Sequence, residues 1–249
     1  MTRVIALVDL DDTVFQTRRK CPPGIADEAL TPLGFARDGS PLSYATPQQM
    51  HFLQWLSETT HLVPVTARSL DAFRRVRLDH RAAICAHGGL ILDEAGEPDR
   101  DWQDRMAEAA GRHAPALHAL AAAIADEARQ AREPVAVRVL AEGDLPLYVL
   151  AKHAEADAEA LHAVVDAAVP ALARGWTHHR NGNNVALLPP HLGKAHAVAH
   201  LLPRLRERFP DAPVIGIGDS RTDAPFMAMC DFAMLPARSQ LAERLFDAR

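Results

Sequence analysis

Apolar runs that stop abruptly in carboxylates and hydroxyls recur along the chain and set its expected architecture. The first is Val4-Ile5-Ala6-Leu7-Val8, followed at once by Asp9-Leu10-Asp11-Asp12-Thr13. A continuous aliphatic run of this kind reads as a strand buried on both faces of a parallel sheet, and ligands of open α/β sheets bind beyond the carboxyl ends of such strands. Asp9 and Asp11 are two apart, so in extended backbone their side chains share one side while Leu10 turns away. Residues 61–65 repeat the pattern and end in Thr66-Ala67-Arg68-Ser69, and residues 82–86 end at His87-Gly88-Gly89. Val214-Ile215-Gly216-Ile217-Gly218 runs into Asp219-Ser220-Arg221-Thr222-Asp223.

The intervening segments fill out this frame. Residues 16–45 are rich in Pro and Gly, and the Asp38-Gly39 pair predicts the turn of a small β flap. Thr46-Pro47-Gln48-Gln49 opens a helix whose apolar side is Met50, Leu53, Trp55 and Leu56. A helix over 70–80 carries Arg74, Arg75 and Arg77, which read as one solvated face. Residues 90–96 predict a hairpin leaving the sheet, after which the β/α alternation stops. An alanine-rich helix over about 101–131, strands at 135–140 and 147–150, a helix over about 155–169 and a hairpin at 176–188 around Asn181-Gly182 follow. Pro189-Pro190 marks a boundary; Gly193-Lys194 then starts a helix over 195–209, with Ala197, Val198, Leu201, Leu202 and Leu205 on one face. After the strand at 214–218, residues 226–246 read as helix, short strand and closing helix. The fold class is α/β: a Rossmann-like parallel-sheet core over 1–99 and 189–249, interrupted by an α+β domain over 100–188 with an antiparallel sheet and two helices.

Composition narrows the partners. The 249 residues are 48% hydrophobic and 24% charged, and the net charge of −5 gives no global reason to expect nucleic acid or an anionic membrane. Any phosphate site must therefore be local. Cys21, Cys85 and Cys230 are odd in number and lack metal-type spacing, so reduced thiols in a cytoplasmic protein are the expectation. No apolar run reaches the roughly 20 residues of a membrane helix, and no leader pattern opens the chain. The 13 histidines show no paired spacing and read as surface residues.

A single Asp after a strand is more often a helix cap than a catalytic group. Here the polar clusters add up: Asp9, Asp11 and Thr13; Thr66 and Arg68; Asp219, Ser220 and Asp223; and Lys194 at a helix start all fall where a parallel sheet would gather them at one edge. The chemistry that needs such a set is phosphoryl transfer through an aspartyl-phosphate. A carboxylate is a weak nucleophile, so the phosphorus must be held in line and its oxygens neutralised. Mg²⁺ takes hard oxygen ligands, and Asp9, Asp219 and Asp223 supply carboxylates, with the main-chain carbonyl at Asp11 as a further ligand. Lys194 offers the opposing charge, and Thr13, Thr66, Arg68 and Ser220 offer donors to a phosphoryl group. Asp11 is left to move protons.

In this order and spacing the motifs resemble those of the haloacid dehalogenase-like superfamily: Asp9-Leu10-Asp11-Asp12-Thr13, then Thr66, then Lys194, then Gly218-Asp219-Ser220-Arg221-Thr222-Asp223. The α+β insertion between the second and third motifs is similar to the superfamily's type-two cap, in the sucrose-phosphate phosphatase and Cof-like branch. The resemblance implies a Mg²⁺-dependent phosphatase of phosphorylated sugars or related metabolites, with Asp9 as nucleophile and Asp11 as general acid/base. Asp12 stands where such proteins commonly carry Gly, Ala67 where Gly is usual, and His87 where many have Asn. Specificity is expected from the cap. There His178-His179-Arg180-Asn181-Gly182-Asn183-Asn184, with Arg138 and Lys152, offers donors to a sugar, Arg180, Asn181 and Asn183 foremost. The same residues read equally as a type I′ turn with solvated neighbours. Two rivals use similar residues: a phosphomutase sharing the intermediate, and a receiver-like signalling module, against which the large insertion argues.

Overall fold

The computed structural model describes residues 4–169, 173 and 175–246. The core sheet has four parallel strands in the order Phe232–Met234, Val214–Ile217, Ile5–Val8, His61–Pro64. All four residues of Ile5–Val8 are buried, which is why this stretch carries no polar alternation. Ile5 lies opposite both Val214 and His61, and Val8 opposite both Ile217 and Pro64. The three strands therefore end level, and whatever follows Val8, Pro64 and Ile217 emerges at one edge. The helix Pro47–Thr59 links the opening strand to His61–Pro64 and is set by a complete capping box. Gln49 N donates to Thr46 Oγ1 at 3.2 Å, and Thr46 N donates to Gln49 Oε1 at 2.9 Å. Leu53 and Leu56 bury its inner face, whereas Trp55, expected on that face, is exposed and stacks on Phe52.

The flap is a three-stranded antiparallel sheet in the order Gln16–Thr17, Pro41–Ala45, Thr31–Phe35. Its turn has Gly39 at φ 83°, a conformation glycine adopts without steric cost. The helix expected over 70–80 stops after Leu70–Phe73. Beyond it the backbone pairs with the flap instead: Arg77 N donates to Leu33 O at 2.8 Å and Phe35 N to Arg75 O at 3.1 Å. The arginines do not form one helical face. Arg75 Nε donates to Phe35 O at 3.0 Å, and Arg77 lies over the Phe35 ring. The strand Ala83–Cys85 pairs antiparallel with Leu90–Leu92 and joins the parallel sheet through a bridge between Val65 and Ile84.

The chain divides into two units, Met1–Trp102 with Lys194–Arg249, and Gln103–Gly193. The inserted unit starts and ends a few residues later than the sequence pattern placed it. It is built on a four-stranded antiparallel sheet, Thr177–Asn181, Asn184–Leu188, Leu145–His153, Val135–Glu142, in that order. The long helix Arg100–Ala131 and the helix Ala158–Ala168 cover it. Leu117, Leu120, Ile124, Leu161, Val164 and Val165 from the helices pack with Val149, Ala151, Val185 and Leu187 from the strands. Each such buried side chain contributes on the order of 1.5–3 kcal/mol before entropy is counted. Asn181 faces Asn184 in the ladder, so the turn is centred on Gly182-Asn183 and not on Asn181-Gly182. Gly182 alone has positive φ, 55°, which excludes the type I′ turn that needs two such residues. No helix among the described residues is long and apolar enough to cross a membrane.

Candidate active site

At the level edge of the parallel sheet the backbone delivers Asp9 directly. Its N–H still bonds to Ile217 O at 2.8 Å, so the side chain is fixed by the last rung of the ladder. The loop then turns back through Val14 N to Leu10 O at 3.0 Å, which brings the Thr13 hydroxyl round to donate to Asp9 Oδ2 at 2.9 Å. Asp12 adopts φ 64°, the left-handed conformation in which glycine is usual. Aspartate is one of the few other residues that tolerates it, and an ion pair with Lys20 holds its side chain.

Lys194 opens the helix Lys194–Arg208, where the positive end of the helix dipole opposes a lysine. Carboxylates offset that: Nζ donates to Asp9 Oδ1 and to Asp223 Oδ1, both at 2.6 Å. Asp223 is fully buried, and its other oxygen accepts from Ser220 N at 3.0 Å and Ser220 Oγ at 2.6 Å. Gly218 makes this approach feasible, because a Cβ there would lie 2.6 Å from the Cβ of Asp223. Asp219 meets the Thr13 hydroxyl at a long 3.4 Å. Ligand oxygens of Asp9, Asp219 and Asp223 all lie within 4.8 Å of one another.

The electrostatics of the cluster are lopsided. Burial, followed by the repulsion of Asp223 and Asp219, raises the Asp9 carboxyl well above its ordinary range despite the counteracting charge of Lys194. Burial and the charges of Asp223 and Asp12 push Asp219 up to about 7. Asp223 also suffers burial, but the ammonium of Lys194 and the Ser220 hydrogen bonds outweigh it and hold its carboxyl low. Lys194 is pulled down by burial, yet Asp9 and Asp223 raise it overall. Three carboxylates set against one ammonium leave a formal surplus of two negative charges when all are ionised, the complement of one divalent cation. A buried all-oxygen donor set with that surplus fits a hard metal ion, and these three residues could hold one.

Asp11, two residues from Asp9, is placed differently. Its carboxylate is 39% exposed and stands outside the three-acid cluster. Arg68 grips it with Nε to Oδ2 at 2.7 Å and Nη2 to Oδ1 at 2.6 Å. Thr66 is buried at the end of the neighbouring strand, and its Oγ1 accepts from Arg68 N at 3.1 Å. A hydroxyl that accepts there keeps its own proton to donate elsewhere. The sequence-derived core residues Asp9, Thr13, Lys194, Asp219, Ser220 and Asp223 are thus joined in one network, with Thr66, Arg68 and Asp11 in a second. In the inserted unit, Arg180 pairs with Asp166, Asn183 Nδ2 donates to His153 O at 2.9 Å, and Asn181 takes part in the ladder to Asn184. Ser43, which accepts from Arg68 Nη2 at 3.0 Å, is a member of the second network that the sequence pattern did not single out.

No protein-family model matches the sequence, and no curated protein matches it. Solved structures do resemble it. The sucrose-phosphatase of Synechocystis, solved with sucrose and phosphate, superposes with a TM-score of 0.59 at 19% identity over 100% of this chain and 88% of its own. The C-terminal domain of the C. albicans trehalose-6-phosphate phosphatase gives 0.52 at 13% identity over 90% of this chain and 73% of its own. A Thermoplasma acidophilum protein gives 0.51 at 14% identity over 99% and 91%. At these identities the likeness establishes the fold. The chain shares the fold of these structures, a parallel core with a separate antiparallel unit inserted in it.

Proposed function

We propose that the protein is a Mg²⁺-dependent phosphatase of a small phosphate monoester, a sugar phosphate or related metabolite, acting through an aspartyl-phosphate on Asp9. The observation that carries this reading is the Lys194 ammonium bridging Asp9 and Asp223 at 2.6 Å each, with Asp219 beside them, at the carboxyl edge of a parallel sheet. The fold shared with two sugar-phosphate phosphatases supports the substrate class.

In the proposed reaction an Asp9 oxygen attacks phosphorus in line with the bond to the substrate oxygen. The P–O bond to the leaving group breaks, and the leaving alkoxide takes a proton from Asp11. A water then attacks the acyl phosphate, giving its proton to Asp11 as the Asp9 carboxylate is released. Asp9, Asp219, Asp223 and the main-chain carbonyl of Asp11 would hold Mg²⁺, which supplies charge neutralisation of the phosphoryl oxygens. Lys194 offsets part of the burial of Asp9 and holds its carboxyl in place, and the Thr66 hydroxyl and Ser220 supply donors to phosphoryl oxygens. Asp11 suits the proton role because, unlike Asp9, it reaches solvent. The inserted unit acts as the cap that selects the leaving group, with Arg180, Asn181 and Asn183 on its hairpin.

The test is release of inorganic phosphate from a panel of sugar phosphates, polyol phosphates and nucleotides with and without Mg²⁺. Metal-dependent release from a sugar phosphate is expected, lost on adding EDTA. An isomerised sugar phosphate without free phosphate would make the protein a mutase, and absence of sustained turnover with every ester would reject an enzymatic role.

A further inference from the structure

We propose that Arg68 is a positioning residue: it sets the Asp11 carboxylate by a guanidinium anchored in the flap, and it does not bind the substrate phosphoryl group. This rests on the reading of Asp11 as the proton-transfer group. Both ends of Arg68 are fixed. Its backbone N–H donates to Thr66 Oγ1 at 3.1 Å and its carbonyl accepts from Ala86 N at 2.6 Å. The guanidinium lies 5.0 Å from the Phe15 ring centroid, and only 15% of the side chain is exposed. Three of its five N–H groups are committed: Nε to Asp11 Oδ2, and Nη2 to both Asp11 Oδ1 and Ser43 Oγ. Nη1 lies against Gly34, close enough that a Cβ at that position would come within 3.3 Å of it.

This grip fixes the plane of the Asp11 carboxylate as well as its position, which a lysine ammonium cannot do. Each Asp11 oxygen keeps a second lone pair, and one of these can carry the proton that passes to the leaving group and is regained from water. Ser43 and Gly34 both belong to the flap, whose strands Thr31–Phe35 and Pro41–Ala45 pair with each other. Ser43 is 2% exposed, so the flap presents a hydroxyl inward where an aliphatic residue would be expected to pack. The flap therefore dictates where Arg68 sits, and Arg68 dictates where Asp11 sits.

The experiment is a mutant cycle assayed with p-nitrophenyl phosphate and Mg²⁺, with inorganic phosphate as competitive inhibitor. Arg68→Ala is expected to lower kcat on the order of 10²-fold, as misplacement of a reacting group does, while KM and the inhibition constant of phosphate stay within about two-fold. Arg68→Lys is expected to be nearly as poor, and Gly34→Ala to fall in the same sense from the flap side. The decisive arm is Asp11→Asn with Arg68→Ala, expected to be no slower than Asp11→Asn alone, since Arg68 acts only through Asp11. If Arg68→Ala does not fold, the cycle is run with Arg68→Lys and the same criteria hold. Losses that multiply in the double variant, a roughly ten-fold weaker phosphate inhibition, or full activity in Arg68→Lys would overturn the inference while leaving the phosphatase reading in place. Wild-type protein that releases no phosphate from any monoester would end both.

Discussion

At the carboxyl edge of the parallel sheet, Asp9, Asp219, Asp223 and Lys194 are each less than a tenth exposed; Lys194 bonds Asp9 and Asp223, and the Thr13 hydroxyl lies between Asp9 and Asp219. At the amino edge of the same sheet, charge is just as abundant but lies open. A cleft of about 470 Å³ there is lined by His61, Arg81, Glu94, Arg208 and Phe209 among others. Arg208 bonds Glu94 at 2.5 and 3.2 Å, with side chains 57% and 42% exposed. Burying an ion costs several kcal/mol even after relaxation, so a fold that buries four of them together with unequal charge spends stability that packing alone would not require. An exposed pair costs little and contributes little. The carboxyl edge is where the chemistry is concentrated.

Substitutions at the two edges should act very differently. The largest effect is expected from Asp9→Asn, which removes the nucleophile and should lower Mg²⁺-dependent phosphate release by more than about 10³-fold while the thermal transition stays cooperative. Lys194→Ala leaves three buried carboxylates uncompensated; urea unfolding should show a loss on the order of 3–5 kcal/mol, partly restored by millimolar Mg²⁺. Gly218→Ala forces a Cβ against Asp223 and should destabilise by about 1–3 kcal/mol, with weaker Mg²⁺ protection against unfolding. At the amino edge, Glu94→Ala or Arg208→Ala should change stability by no more than about 1 kcal/mol and leave phosphate release as it is.

The smallest effect belongs to His61, whose Nε2 is buried without a hydrogen-bond partner. Burial lowers its pKa below 6.5, against the weaker pull of Glu94. The unfolded chain then binds the extra proton first. The contribution of a neutral His61 is full above pH 6.5 and is lost as pH falls toward its depressed folded value. A melting series from pH 7.5 to 5 should fall more steeply for the wild type than for His61→Phe. Parallel slopes would show that His61 is not desolvated in the way its surroundings indicate.

The carboxyl edge was legible in the sequence because both of its causes are local. A strand buried on both faces announces itself as an unbroken aliphatic run, and the polar residue that follows is fixed within one residue of the last ladder bond, as Asp9 is by Ile217. The Thr46 capping box is equally local. What the sequence did not disclose depends on partners far along the chain. The helix expected over 70–80 is cut short because residues 75–77 bond to the flap at 33–35. Arg68 meets Asp11 across 57 residues, and no periodicity encodes that choice over a substrate oxygen. Ser43 was missed because the alternation in Pro41–Ala45 invites Leu42 inward, whereas Leu42 is 51% exposed and Ser43 faces in. The centre of the 181–184 turn moved by one residue because ladder register, and not the Asn-Gly pair, decides it. In the inserted unit the helices and strands followed from periodicity, but Arg180 and Asn183 are held by Asp166 and His153, contacts that their polarity alone does not specify.

A bond between Asp9 and phosphorus can be trapped chemically. The protein would be quenched during turnover of p-nitrophenyl phosphate with Mg²⁺, reduced with borohydride, and digested for mass spectrometry. Reduction of an aspartyl-phosphate leaves homoserine. Homoserine is expected at position 9, dependent on both substrate and metal, with Asp11 intact. Sustained phosphate release with Asp9 unreduced, or with homoserine at position 11, would contradict it.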